Sequence, residues 1–302
     1  MQYFISVIIP TFNRKETLKP VLESLNRQTF PDSKYEIVIV DSNSTDGTSE
    51  MIKELQLKPS LRYIRQENRG RSGARNRGIK EAEGHIILFT DADIIASPEL
   101  LKEHEIIHCK HPGEAVVGLE VQVSSIEEYE HVRDHPENRK ELHPKSRKKL
   151  SWLYFMTGNA SVSRDKLIEV GMFDEDFQGY GWEDIELGYR LAKSGISINY
   201  RRNAVNYHLH PASLEEKYKI MRMAGVSAVK FYRKHKDWKI RYLLGMNPLS
   251  LKIHSFISPE GWVIKKCREQ SESQSLFRGF CRDILLQYHY LNGVKEEFER
   301  IN

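Results

Sequence analysis

"LFTDADI", Leu88 to Ile94, sets two carboxylates one residue apart directly after an apolar run. The run, with His85, Ile86 and Ile87 before it, is short and apolar and reads as a buried strand. At an extended strand end residues i and i+2 point the same way, so Asp91 and Asp93 could reach one divalent cation together. Hard carboxylate oxygens suit Mg²⁺ or Mn²⁺, which also bridge phosphate oxygens. An acidic pair alone is also a common cap or turn former, so its meaning depends on what surrounds it.

Upstream, "FISVIIPTFN" reads as a buried strand that stops at the Pro10–Thr11 turn. Leu18, Val21, Leu22 and Leu25 recur at helical spacing. A second strand spans Glu36 to Val40 and runs into a turn rich in Ser, Asn, Asp and Gly. "TSEMIKELQ" is a short helix, "LRYIRQ" a third strand, and "SGARNRGIKEAEG" a helix ended by Gly84. Strands that alternate with helices and read apolar throughout predict an α/β fold, with a mostly parallel sheet and helices on both faces. In such sheets ligands lie beyond the carboxyl ends of the strands. Thr11 and Asn13, then Asp41, then Asp91 and Asp93 follow three different strands and should therefore meet at one crevice.

Downstream, a helix follows Pro98 and a strand spans Ala115 to Val123. Residues 124–150 are charged and broken by Pro136 and Pro144, and read as a mobile basic surface loop. Order resumes at "WLYFMTGNASVSRDKLIEVG", and a further helix starts near Glu183. Past Pro211 the pattern is helical and basic. The expected division is a domain over 1–211, with a nucleotide-binding half (1–123) and an acceptor and metal half (151–211), plus a helical extension over 212–302.

The 302 residues suffice for one large domain with an appendage. The chain carries a formal +4, unevenly spread: residues 211–302 carry +7 and 139–149 carry +5, which leaves −8 for the remainder. An acidic body without a recognised binding fold argues against nucleic acid as a partner. The apolar stretch at Ile5 to Pro10 is too short for a signal peptide and lacks a basic flank, and no run reaches the roughly 18 apolar residues of a membrane span. Cys109, Cys267 and Cys281 are scattered without metal-ligand spacing, which favours a reducing, cytoplasmic setting. In the basic tail, Leu214, Tyr218, Met221, Phe231 and Tyr232 lie among lysines and arginines. Such a stripe either docks on its own domain or lies on an anionic membrane surface, peripheral to the inner face.

"SVIIPTFNR", "IVIVDSNSTDGT", "GRSGARNRGI" and "LFTDADI" resemble, in this order, the family 2 glycosyltransferases of GT-A fold. "TGNASVSR" and "FDEDFQGYGWEDIELGYRL" resemble the galactosyltransferase-type C-terminal half shared with chondroitin-polymerase-like enzymes. The resemblance covers Ser6 to about Pro211. It implies transfer of a sugar from a UDP-sugar of the Gal, GalNAc or GlcNAc type to a saccharide or lipid-linked saccharide. It also implies that Asp93 binds Mn²⁺ or Mg²⁺ directly, that Asp91 contacts ribose or metal-bound water, and that Asp41 accepts from the uracil N–H. Pro10, Thr11 and Asn13 would line the base and ribose. The usual Asp-Asp-Gly-Ser after the second strand is here Asp41-Ser42-Asn43-Ser44, so a second acid for the ribose is missing. A His at the place of His208, or failing that His210, completes the metal shell in such relatives.

Arg71, Arg75 and Arg77 flank a helix start, where cations beside free N–H groups make an anion site; Arg75 is the choice for the nucleotide side. "GWEDIE" brings Glu183, Asp184 and Glu186 after Trp182, whose apolar face could carry a sugar ring. A transfer that inverts the anomeric centre needs one base opposite the leaving group. The resemblance makes Asp184 that base and Glu183 the anchor of the acceptor. Asn159, after Gly158, is expected near the transferred sugar. No Gln-x-x-Arg-Trp follows the acidic cluster, so addition of one or a few sugars is expected rather than processive synthesis. The rivals are a non-catalytic sugar-nucleotide-binding or scaffold protein and a glycoside hydrolase, which also uses two carboxylates.

Overall fold

The computed structural model describes residues 3–139, 149–177, 179–209, 213–255, 261–273 and 276–301. They form two compact units, Met1–Gln178 with Glu183–Pro211, and Gly179–Trp182 with Ala212–Asn302.

In chain order the first unit holds β1 (Ile5–Thr11), α1 (Lys15–Leu25), β2 (Tyr35–Asp41), α2 (Thr48–Glu54), β3 (Ser60–Arg65), α3 (Gly70–Glu81), β4 (Ile86–Phe89), β5 (Ile94–Ala96), α4 (Leu100–Lys110) and β6 (Ala115–Val123). Then come α5 (Ile126–Asp134), β7 (Lys149–Leu150), β8 (Ala160–Ser163), α6 (Arg164–Glu169), α7 (Glu183–Lys193) and β9 (Ile198–Leu209). The strands make one sheet in the order β3-β2-β1-β4-β8-β6-β9-β5, with β7 on β9. The quartet β3-β2-β1-β4 is parallel, as is β6 with β9. β8 runs antiparallel to both β4 and β6, and β5 and β7 run antiparallel to β9.

Strand periodicity fills both faces. Val7 and Ile9 of β1 and Ile37 and Ile39 of β2 pack with Leu18, Val21, Leu22 and Leu25 of α1. Ile8 and Val38 point to the opposite face and pack with Ala74 and Ile79 of α3, with Leu187 of α7 and with Phe173 from the loop before it. Each such aliphatic side chain contributes about 1.5–3 kcal/mol on burial. From β1 the chain builds outward through β2 and β3, then returns to β1's other side with β4. That reversal opens a crevice at the strand carboxyl ends, where Thr11 lies opposite Asp41 in the β1–β2 register.

Three local expectations change. The fourth strand does not run on to Ile94: β4 ends at Phe89, residues 91–93 turn, and the Ile94 N–H donates to the Asp91 carbonyl at 3.2 Å. The interval read as an irregular loop contains α5, whose Ser125 cap accepts from the Glu128 N–H at 3.2 Å; residues 140–148 lie outside the described residues. β9 escapes a reading based on continuous apolar runs because its middle, Arg202 and Asn203, is exposed.

The second unit holds α8 (Leu214–His235), α9 (Trp238–Leu243), α10 (Pro248–Ser255), α11 (Trp262–Glu272) and α12 (Arg278–Ile301). Ser213 and Glu216 form a reciprocal capping box at the start of α8. α8 and α12 meet closely where both lack a side chain: a Cβ on Gly225 would stand 2.0 Å from the Tyr290 carbonyl, and one on Gly293 1.9 Å from that of Arg222. Tyr218 and Phe231, two members of the apolar stripe, are buried within this unit. Exposed large apolar side chains of the unit include Met223 on α8 and, beyond it, Trp238, Tyr242, Leu249, Trp262, Leu276, Phe277 and Phe280. Among the described residues no helix is long and apolar enough to cross a membrane.

Candidate active site

The first wall comes from the ends of β1 and β2. Asp41 is fully buried; its Oδ1 accepts from the Ser44 N–H (2.9 Å) and hydroxyl (2.6 Å), and its Oδ2 from the Tyr63 hydroxyl. Burial and then the Asp41 contact raise the Tyr63 pKa to about 12. The Ser44 hydroxyl in turn accepts from the Asn13 N–H at 2.8 Å, and Asn13 Oδ1 accepts from the Thr45 N–H at 2.8 Å. These bonds hold Asn13 and Asn43 at φ +51° and +70°, conformations that Asn tolerates better than most residues. Thr11 Oγ1 is buried beside this wall without a hydrogen-bond partner among the described residues, and Pro10 is half-buried opposite Val40.

Arg75 forms the floor. Its guanidinium donates to Asp91 Oδ1 at 2.9 Å and to Glu183 Oε1 at 3.2 Å, and lies 5.5 Å from the Phe173 ring centroid. Burial alone would lower its pKa, but Asp91, Glu183 and Asp184 outweigh that and the net direction is upward. Arg75 is thus turned inward onto carboxylates and does not stand as an anion receptor at the start of α3. Arg77 pairs with Glu81 on the surface. Asp91 and Asp93 diverge because they lie in a turn: Asp91 faces Arg75, and Asp93 Oδ1 lies 3.6 Å from His208 Nε2.

β5 and β9 pair Ile94 with His208, which explains how Asp93 and His208, 115 positions apart, meet. The other ring nitrogen of His208 lies 3.2 Å from Glu120 Oε1 on β6. Burial opposes protonation of this ring, yet its hydrogen bonds to Asp93 and Glu120 carry the pKa to about 10. Glycine at 158 leaves room for the present position of the Glu120 carboxylate; a Cβ there would stand 2.0 Å from Glu120 Oε2, and the side chain would have to shift. Glu120 is not among the site residues expected from sequence; its signal there is an acid inside an otherwise apolar strand. A carboxylate behind an imidazole that faces a second carboxylate is the arrangement that orients metal-ligating histidines. Among the described residues, however, no three His, Cys, Asp or Glu side chains form a group that could hold a metal ion. His210 lies outside the described residues.

Glu183 and Asp184 open α7. Glu183 Oε2 is buried without a partner among the described residues. Asp184 accepts from the Ile185 N–H at 2.8 Å and the Thr157 N–H at 3.4 Å. Burial first and the Glu183 charge second raise its pKa to about 7, against the lowering pull of Arg75 and the two N–H groups. The third acid, Glu186, is fully buried and pairs with Arg190 at 2.7 Å, so it serves the fold.

Two expected ligand contacts take other roles. The Asn159 carboxamide is wholly engaged inside the unit: Nδ2 donates to the carbonyls of Leu119 (3.1 Å) and Ala204 (2.9 Å), while Oδ1 lies 2.8 Å from His104 Nε2. His104 and His108, both on α4 and both fully buried, share the Ser161 hydroxyl. Burial lowers their pKa values to about 4 and about 3, so they are neutral parts of the framework. Asn159 therefore braces β6, β8 and β9 and presents no free group to a sugar. Trp182 belongs to the second unit, where its indole N–H donates to the Ala224 carbonyl at 2.8 Å and its ring meets Tyr290 edge-on.

The profile of glycosyl transferase family 2 matches residues 6–171, and that of the N-terminal domain of galactosyltransferase matches residues 140–212. The uncharacterized glycosyltransferase YfnE of Bacillus subtilis is 30% identical over 258 residues, covering 69% of this chain and 65% of that protein. This chain thus spans just under two thirds of that relative. The mannosyltransferase PcManGT of Pyrobaculum calidifontis, solved with GDP-Man and Mn²⁺, superposes with a TM-score of 0.65 at 18% identity, over 100% of this chain and 89% of that one. S. aureus TarS, solved with UDP, gives 0.60 at 20% identity, over 100% and 92%. At these identities the likeness shows the fold, which is GT-A. With the family profile matched along more than half its length, the chain belongs to glycosyl transferase family 2.

Proposed function

We propose that the chain transfers a sugar from a UDP-sugar of the Gal, GalNAc or GlcNAc type to a hydroxyl of a glycan or lipid-linked glycan, with inversion and with help from a divalent metal. The observation that carries this is Arg75, which ties Asp91, on the expected donor side, to Glu183, on the expected acceptor side. Both acidic motifs therefore serve one crevice.

Asp184 is the base. A carboxylate with a pKa near 7 is half ionised near neutral pH and is a stronger base than an ordinary one. Glu183, held by Arg75 through one oxygen, offers the other to an acceptor hydroxyl. Asp41 takes the base N–H; Tyr63, now on its Oδ2, is the group the base would displace. Thr11 Oγ1 is a buried group that a ribose hydroxyl would satisfy.

Asp93 and His208 would hold Mn²⁺ or Mg²⁺, with Glu120 orienting the imidazole and substrate oxygens completing the shell, since Asp91 is turned to Arg75. Such an ion would supply charge neutralisation for a departing diphosphate. The fold likeness to proteins solved with UDP in one case and GDP-Man with Mn²⁺ in the other supports a nucleoside diphosphate in this crevice and leaves the base to experiment. The test is a donor screen that measures nucleoside diphosphate release across UDP- and GDP-sugars, with and without Mn²⁺. Metal-stimulated release from a UDP-sugar is expected. Release only from a GDP-sugar overturns the UDP assignment; no release from either favours a non-catalytic binder.

A further inference from the structure

The second unit contains a cavity of about 480 Å³ where the start of α8 meets α11 and α12. Three guanidinium residues line it, Arg268, Arg278 and Arg282, against two carboxylates, Glu215 and Glu272. Arg282 donates to the Ser271 carbonyl at 3.1 Å. Among the described residues Arg268 and Arg278 form no ion pair, whereas the nearby Arg222 is taken up by Glu296. One wall is flat and rigid: the rings of Tyr218 and His289 stack at 4.4 Å and 18°. Burial first, and then Arg268, lower the His289 pKa, while Glu215 pulls the other way.

We propose that this cavity is an anion site that takes a phosphate-type group, separate from the nucleotide crevice. Guanidinium forks match phosphate oxygens bidentately, and although Arg268 and Arg278 are exposed, a cavity that gathers them with Arg282 concentrates positive charge more than a lone surface arginine does. Three guanidiniums against two carboxylates leave one positive charge in excess in the lining, and a phosphate ester, with close to two negative charges at neutral pH, is drawn to it. Leu276, Phe277 and Phe280, all strongly exposed, flank Arg278 in the chain. Apolar side chains next to a basic cavity suit a phosphate carried on a lipid; a soluble phosphate ester offers the same chemistry without the tail.

The test uses the full chain carrying Asp91→Asn and Asp93→Asn, with chelator present, so that the nucleotide crevice does not contribute. Inorganic pyrophosphate is titrated calorimetrically, and sedimentation is measured with phosphatidylcholine vesicles with and without phosphatidic acid. Binding is expected to fall about tenfold in Arg268→Gln/Arg278→Gln and to persist within a few-fold in Arg268→Lys/Arg278→Lys, with unchanged thermal midpoints. Pyrophosphate binding with selective sedimentation identifies the lipid-borne source, and pyrophosphate binding alone the soluble one. Absence of pyrophosphate binding, or binding that the Gln pair leaves unchanged, overturns the site and leaves the transferase reading untouched.

Discussion

Arg75 and Glu183, 108 positions apart in the chain, meet at 3.2 Å with only 2% and 5% of their side chains exposed. A buried cation between acids stabilises the fold and sets the charge state of the site at once.

Removing that cation strands Asp91, Glu183 and Asp184 without their common partner. Breaking a buried ion pair from one side costs about 3–5 kcal/mol. Arg75→Gln should lower the urea-unfolding free energy by about that amount, and Arg75→Lys by less, because the charge survives while the fork is lost. A loss under about 1 kcal/mol for Arg75→Gln would show that the acids are relieved by water or protonation.

Asp184→Asn keeps the shape and the N–H partners of the side chain but removes the base. Transfer should fall by about 10²–10⁴-fold, with UDP affinity close to that of the parent by calorimetry. If UDP binding disappears together with activity, Asp184 is a structural residue and the base must be sought elsewhere.

The acid limb of the rate profile should report Asp184. Activity rises as pH increases through about 7, where the carboxyl loses its proton. Glu183→Gln removes a charge that raises this pKa, so the limb should move to lower pH; an unmoved limb excludes Asp184 as the titrating group. Stability carries the opposite sign. The folded protein holds this proton more tightly than the unfolded chain, whose value lies near 4, so that contribution is full below about pH 4 and is lost as pH rises towards 7.

Glu120 orients His208 and should be felt through the metal. Glu120→Gln is expected to raise the Mn²⁺ concentration for half-maximal transfer by about 10–100-fold, while chelation abolishes transfer in the parent. Identical Mn²⁺ titrations for the two proteins would remove Glu120 from the metal-orienting role.

Several features follow from residue order alone. The short apolar runs at Ile5–Thr11 and Tyr35–Asp41, separated by the Leu18–Leu25 helical stripe, specify parallel β-α-β structure, because burial on both faces demands apolar residues throughout and helices above and below. The same order puts Thr11 and Asp41 side by side. What sequence could not decide was the direction of individual side chains. Asp91 and Asp93 share a face in an extended strand but diverge in the turn that replaces it, one to Arg75 and one to His208. Arg75 reads as a nucleotide contact at a helix start until the fold turns it onto Asp91 and Glu183, and Asn159 reads as a ligand contact until His104 and two carbonyls engage its amide. The Glu120 carboxylate reaches His208 across a space that the glycine at 158, on a separate segment, leaves open. Local pattern is governed by burial and hydrogen bonding within a dozen residues, whereas a buried charge chooses its partner from whatever the whole fold brings within a few ångströms.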